Sequence, residues 1–249
     1  LEENGTVTHL SVEGLSVELC YARRGNFILD VSDLELPQGV TVLAGPNGAG
    51  KTTLLSVLAG RIRFARLHAT LAAEPLEPSA VGLMPQSPQL PLDLRAREVL
   101  EHIAWLTGGS HTQARGRATN LLEEIGLSQD ADKPVSKLSG GMHRRLAFAA
   151  SNVTPAALLL LDEPTNDLDP LQRREILSLI TKASRSRCVI VSTHALHDVL
   201  PVAQHVVVLD GGRVVHAGPV DDFLVRFAPD TRDGDEAYLA CLDRAQAAA

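Results

Sequence analysis

Gly45, Pro46, Asn47, Gly48, Ala49, Gly50, Lys51 and Thr52, followed by Thr53, combine backbone freedom with one amine and two hydroxyls. The spacing G-x-x-x-x-G-K-[ST] acquires meaning only when a strand precedes it and a helix follows. Here the apolar run Val40 to Ala44 leads in, and Leu54 to Ala59 leads out. Glycine at 45, 48 and 50 opens backbone angles closed to residues with a Cβ, so the loop can turn its N–H groups inward. The helix N-terminus adds positive partial charge. Lys51 would neutralise β- and γ-phosphate oxygens, and the Thr52 hydroxyl would bind Mg²⁺. The chemistry implied is capture of a nucleoside triphosphate; an accidental glycine turn would not need strand, loop and helix in this order.

A triphosphate site that hydrolyses also needs a metal anchor and a group that orients water. Asp162 and Glu163 close the apolar run Ala156 to Leu161, and ligands of open α/β sheets bind at the carboxyl ends of such strands. Asp162 would hold Mg²⁺ through water, while Glu163 would polarise the attacking water. His194 lies just beyond a second apolar run, Cys188 to Ser192, and could hydrogen-bond a γ-phosphate. Taken singly, His194, Gln86 and Tyr21 have plainer readings: a structural polar residue, a solvated loop side chain and a core aromatic. Tyr21, upstream of Lys51, also offers a face for adenine. Ser139-Gly140-Gly141 at a helix start is a second anion-binding terminus, or an ordinary glycine-rich cap. If both ends bind phosphate, a two-fold dimer could lay each chain's Ser139 end on its neighbour's nucleotide.

The elements that must position these groups follow from patterning. Residues 6–21 and Phe27 to Leu36 alternate apolar and polar, predicting antiparallel strands ahead of the strand–loop–helix unit. Residues 66–84 predict a weak strand, a Pro-containing loop over Glu74 to Ser79, and a strand over Val81 to Met84. Helical spacing covers Leu94 to Thr107 and Thr112 to Ile125, the latter closed by Gly126. A further helix runs from Ser139 to about Ser151, so residues 89–154 form a helical insertion between strands. Ala156 to Glu163 and Cys188 to Ser192 read as buried parallel strands, and Asp169-Pro170 starts a helix between them. Val206 to Val215 reads as a hairpin around Asp210-Gly211-Gly212, and the chain from Pro219 is helical. The expected domain layout is a core at about 1–88 and 155–218, the helical subdomain at about 89–154, and C-terminal helices at about 219–249.

Bulk properties narrow the class. A chain of 249 residues, 45% hydrophobic, buries a large core as one domain with subdomains or as two small domains. A net charge of −7 and 3% aromatics argue against a nucleic-acid partner and a base-stacking platform. Cys20, Cys188 and Cys241 form no ligand pattern, which suits a reducing cytosol. The apolar runs are too short to cross a bilayer, and the first residues show no basic-then-apolar leader. Two glycosylation patterns, at Asn4 and Asn152, read as chance without one.

In this order the motifs resemble the nucleotide-binding subunit of ATP-binding-cassette (ABC) transporters over nearly the whole chain. Tyr21 is similar to the family's adenine-stacking aromatic, Gly45 to Thr53 to its phosphate loop, and Gln86 to the glutamine that contacts Mg²⁺ and the membrane partner. Leu138-Ser139-Gly140-Gly141-Met142 resembles the family signature, the feature that separates it from other P-loop ATPases. Met142 stands where the most familiar form has Gln, but Ser139 and both glycines remain. Leu158 to Glu163 is similar to the acidic strand, Leu168-Asp169 to the loop that crosses the dimer interface, and His194 to the switch histidine.

The resemblance implies an α/β fold: a RecA-like P-loop NTPase core with an N-terminal antiparallel β layer and an inserted α-helical subdomain. It implies an ATPase using ATP and Mg²⁺, with Glu163, His194 and Lys51 catalytic and Thr52, Gln86 and Asp162 at the metal. Ser139, Gly140, Gly141 and Asp169 would serve the nucleotide across a homodimer or heterodimer of cassettes. A transmembrane permease would be the partner, and the subunit would sit in the cytoplasm, peripheral on the cell membrane. Ser139 to Met142 with Arg144-Arg145, together with Glu98 to Leu106, looks like cassettes of bacterial exporters of drugs, peptides or lantibiotics. A soluble ABC ATPase of translation or DNA repair usually carries paired cassettes, a long coiled coil or zinc inserts, and none is visible. A small-molecule kinase would leave Ser139-Gly140-Gly141 without purpose, and a scaffold would leave Glu163 and His194 so.

Overall fold

The computed structural model describes residues 15–22, 28–62, 67–154 and 156–247, with backbone alone at 20–22, 32–33 and 67. The alternation expected before Leu15 lies outside the described residues, as do Phe27 and the Tyr21 side chain.

Five buried strands run parallel: β6 (Val81–Met84), β7 (Leu158–Asp162), β8 (Cys188–Thr193), β3 (Gly39–Ala44) and β9 (His205–Asp210), in that spatial order. The sheet continues through β10 (Arg213–Pro219), antiparallel to β9, which touches β2 (Ile28–Leu36) at a single register position. Beyond it, β1 (Leu15–Ala22), β4 (Leu67–Leu71) and β5 (Glu74–Pro75) pair antiparallel. The antiparallel layer thus joins the parallel core edge to edge.

Two cores form because successive strand residues point to opposite faces. Leu158, Leu160, Ile190, Val207 and Leu209 pack with β1, β2 and helix α1 (Lys51–Leu58). Leu159, Leu161, Val189, Val191, Val206 and Val208 pack on the other face against the remaining helices. Those are α2 (Ala96–Leu106), α3 (His111–Glu124), α4 (Gly140–Ser151), α5 (Pro170–Ala183), α6 (Leu196–Val199), α7 (Val220–Phe227) and α8 (Gly234–Ala247). Burial on both faces is why β7 and β8 carry unbroken apolar runs.

Boundaries shift where local hydrogen bonding overrides periodicity. Helix α2 starts at Ala96, not Leu94, because Val135 N and Ser136 N donate to Leu94 O and Leu92 O at 2.9 and 3.0 Å. Those bonds hold residues 92–94 in a turn and bend and Arg95 in a bridge to Pro134. Helix α3 starts one residue early, at His111: Ser110 Oγ accepts from Gln113 N, and Gln113 Oε1 accepts from Ser110 N. Within the expected loop at 74–79, Glu74–Pro75 pairs as an edge strand, a place where Pro needs no N–H donor. The hairpin is as expected, with Gly211 and Gly212 at φ +52° and +82°.

Gly82 in β6 lies against the end of α4, where an added Cβ would overlap the Ser151 carbonyl oxygen. Gly→Ala normally stabilises by about 0.4–1 kcal/mol through the unfolded chain, whereas overpacking costs about 1–3 kcal/mol. Overpacking prevails here because the obstacle is backbone. Gly82→Ala is expected to lower the urea midpoint of unfolding, and an unchanged or raised midpoint would contradict this packing.

Candidate nucleotide site

The loop from β3 to α1 is shaped by glycines and pinned by the hairpin. Gly48 and Gly50 take φ +83° and +108°, angles that L side chains rarely adopt. Gly45 has a different reason: a Cβ there would overlap the Leu209 carbonyl oxygen on β9. Gly212 N donates to Ala49 O at 3.0 Å, and Gly212 O accepts from Asp30 N at 2.7 Å. One turn residue therefore ties the loop to the antiparallel layer. Gly50 is the N-cap of α1 and has no side chain with which to cap it, so the first helical N–H groups stay open to an anion.

Lys51 lies buried along this loop and donates from Nζ to Gly45 O at 2.6 Å and Pro46 O at 3.2 Å. Burial pushes its pKa down, and the carboxylates of Glu163 and Asp162 push it back up. Thr52 Oγ1 donates to Asp162 Oδ2 at 2.9 Å. Asp162 Oδ1 accepts from Ser192 Oγ at 2.5 Å, and Ser192 Oγ accepts in turn from Glu163 N at 3.0 Å. Register explains the contact, since Asp162 is the parallel partner of Ser192. Glu163 stands at φ +49°, and its Oε2 lies 2.9 Å from His194 Nδ1.

Asn47 to Thr53 line a cavity of about 640 Å³ with Ile62, Gln86, Asp162 and Glu163. The structure thus brings together the glycine loop, both carboxylates and Gln86. His194 stands instead in a smaller cleft of about 180 Å³ that also contains Glu163 and Thr165. Glu163 is the side chain common to both.

Ser139, Gly140, Gly141 and Asp169 do not line the large cavity. Ser139 caps α4, its Oγ accepting from Met142 N at 3.3 Å, and Asp169 caps α5, its Oδ1 accepting from Gln172 N at 2.9 Å. Both caps are exposed. The two helix starts lie side by side: Gly141 is buried against Gln172, whose side chain would have to shift to admit a Cβ. Tyr21 lies in β1 paired with Leu29, and its side chain is outside the description.

Two residues to which the sequence assigned no role at the site are prominent here. Ser192 is fully buried between the carboxylates, and its only trace in the sequence is its place at the end of an apolar run. Arg144 on α4 donates to the carbonyl oxygens of Gln86, Glu163 and Pro164. Burial lowers its pKa, opposed by Asp167, Glu163 and Asp162.

The hydroxyl of Thr52 and the carboxylate of Asp162 are adjacent hard oxygen donors, the type Mg²⁺ selects when phosphates complete its shell. Among the described residues no cluster of three His, Cys, Asp or Glu could hold a metal by itself. The donor set therefore fits a cation that arrives with phosphate.

A glycine loop between buried strand and helix, with acids at the same sheet edge, defines a P-loop nucleotide-binding α/β domain. Comparison with known proteins agrees. The family model described as ABC transporter matches residues 29–166. The daunorubicin resistance ATP-binding protein DrrA2 of Streptomyces coeruleorubidus is 38% identical over 75% of this chain and 61% of its own length. The chain therefore spans about three fifths of that relative. The nickel import ATP-binding protein NikO of Rhodobacter capsulatus is 35% identical over 84% of this chain and 89% of its own. A solved ATP-binding subunit of an ABC transporter superimposes with TM-score 0.78 at 24% identity, covering 92% of this chain and 99% of that one, a likeness of fold. This chain belongs to the ABC transporter family. No helix among the described residues is long and apolar enough to cross a membrane.

Ser192→Ala would leave Asp162 Oδ1 without its hydroxyl donor inside the protein, at a cost of about 1–3 kcal/mol. Thermal unfolding is expected to fall and the Mg²⁺ dependence of nucleotide binding to weaken. If neither changed, Ser192 would have no part in holding Asp162.

Proposed function

We propose that this chain is the ATP-binding and ATP-hydrolysing subunit of an ABC transporter, closing on a second cassette around ATP and driving a separate transmembrane permease. The observation that carries the proposal is the placement of Glu163, on the wall of the glycine-loop cavity and 2.9 Å from His194. Glu163 accepts the proton of the attacking water, and His194 holds that carboxylate while reaching toward the γ-phosphate. Lys51 leaves the carbonyls of Gly45 and Pro46 for the β- and γ-phosphate oxygens. Loop N–H groups from Gly45 to Thr53 cradle the phosphates, and Tyr21 stacks on adenine. Thr52, Asp162 and Gln86 would hold Mg²⁺, which when bound neutralises phosphate charge.

Ser139, Gly140, Gly141 and Asp169 act on the partner cassette's nucleotide, a role supported by the exposure of Ser139, Gly140 and Asp169 and by the absence of all four from the chain's own cavity lining. The helical segment 89–154 then serves as the arm that carries the Ser139 end, between a core of about 1–88 and 155–218 and C-terminal helices of about 219–249. The subunit works on the cytoplasmic face of the cell membrane through its permease. Export is the direction we favour, supported by the drug-resistance relative and by Ser139 to Met142 with Arg144-Arg145. The nickel import relative supports import, and transport into or out of vesicles holding the permease separates the two.

Glu163→Gln is expected to keep ATP binding and lower turnover by about 10²–10⁴-fold, the range for loss of a general base. The same variant is expected to double in mass with ATP in light scattering. Unchanged turnover would remove Glu163 from its role.

A further inference from the structure

Glu163 has a backbone that its sequence disfavours. Its φ of +49° is left-handed, an uncommon choice for a residue with a side chain, and Pro164 follows it. A residue before proline prefers extended angles. Something must therefore hold this peptide from both ends. On the amino side Glu163 N donates to Ser192 O at 3.2 Å and Ser192 Oγ at 3.0 Å, which fixes it to β8. On the carboxyl side Glu163 O accepts from Asn166 N at 3.2 Å and from Arg144 Nη2.

Arg144 does more than meet one carbonyl. Its Nε donates to Pro164 O at 2.9 Å and its Nη1 to Gln86 O at 2.8 Å. One planar guanidinium thus engages three carbonyls on two loops, after β6 and after β7. A lysine, with its donors on a single nitrogen, cannot reproduce that fork. Arg144 stands on α4, five positions beyond the Ser139 cap. Helix α4 is therefore joined rigidly to the peptide that carries Glu163.

We propose that Arg144 is the positioning residue that holds Glu163 in its left-handed conformation, aiming the carboxylate at His194 and the cavity and tying that aim to the placement of α4. The proposal rests on the ATPase function proposed above for the meaning of that aim, although the contact itself can be tested without turnover. Arg144 touches no reacting atom. Its effect passes through Glu163, so displacement of α4 would misplace the carboxylate before it altered the glycine loop.

The test uses the full chain with Arg144→Ala and Arg144→Lys, read in two ways. In ATP turnover, both variants are expected to lose about 10- to 100-fold in kcat, with KM for ATP within about two-fold. The lysine variant is expected not to rescue. In NMR of histidine-labelled protein, Arg144→Ala is expected to move the His194 ring resonances in the direction that Glu163→Gln moves them. Unchanged His194 resonances would overturn the proposal. So would full rescue by lysine, or a loss of ATP binding equal to the loss of turnover. Were the wild-type chain to bind ATP without hydrolysing it, the proposed function would fail while the His194 spectrum still decided the role of Arg144.

Discussion

Ala44 pairs with Thr193 and Asp162 pairs with Ser192, so β3, β7 and β8 end at one level. That parallel register is the constraint on which the rest depends. It sets the glycine loop, Asp162, Glu163 and His194 along a single edge, where the helix dipole of α1 and the acids can meet one ligand. A slip of one residue in β7 would exchange its faces, sending Leu159 and Leu161 into the core that now holds Leu158 and Leu160. Because β7 and β8 are buried on both sides, packing alone tolerates such an exchange better than it would in a half-exposed strand. The Asp162–Ser192 and Thr52–Asp162 hydrogen bonds do not, and they single out one register.

Charge is concentrated where the sheet is least hydrated. Lys51, Asp162 and Glu163 are all buried, and an isolated buried charge is costly. Each here has compensation: Lys51 from two loop carbonyls, Asp162 from two hydroxyls, Glu163 from His194. The lysine's carbonyl partners belong to the same loop that would cradle phosphate. An arriving anion would therefore replace contacts already arranged around the amine, with little reorganisation of the backbone. Glu163 adds backbone strain, a cost of about 1–3 kcal/mol for a left-handed residue with a side chain. Strain of that kind at a site wall is what a fixed, pre-aimed carboxylate requires.

Much of this was legible in the chain itself. Strand–loop–helix order around Lys51, the unbroken apolar runs before Asp162 and His194, and the Asn-free Gly211-Gly212 hairpin all leave local patterns that physics reads directly. The roles of Ser192 and Arg144 left none. The role of Ser192 arises from a register between strands thirty positions apart, and that of Arg144 from a helix packed across two loops. Neither separation is visible in a linear pattern of residue types. The start of α2 was displaced for the same reason: the carbonyls of Leu92 and Leu94 accept from Ser136 N and Val135 N, a long-range contact that overrides helical periodicity.

The Ser139 and Asp169 caps are exposed and do not line the chain's own cavity, as the proposed second cassette requires. Mixing Ser139→Cys and Asn47→Cys chains, each also carrying Glu163→Gln, and treating them with a short bifunctional thiol reagent tests whether a second copy closes the proposed nucleotide site. The account predicts an intermolecular crosslink that forms with ATP and not without it. A crosslink indifferent to ATP, or none while ATP is bound, would contradict it.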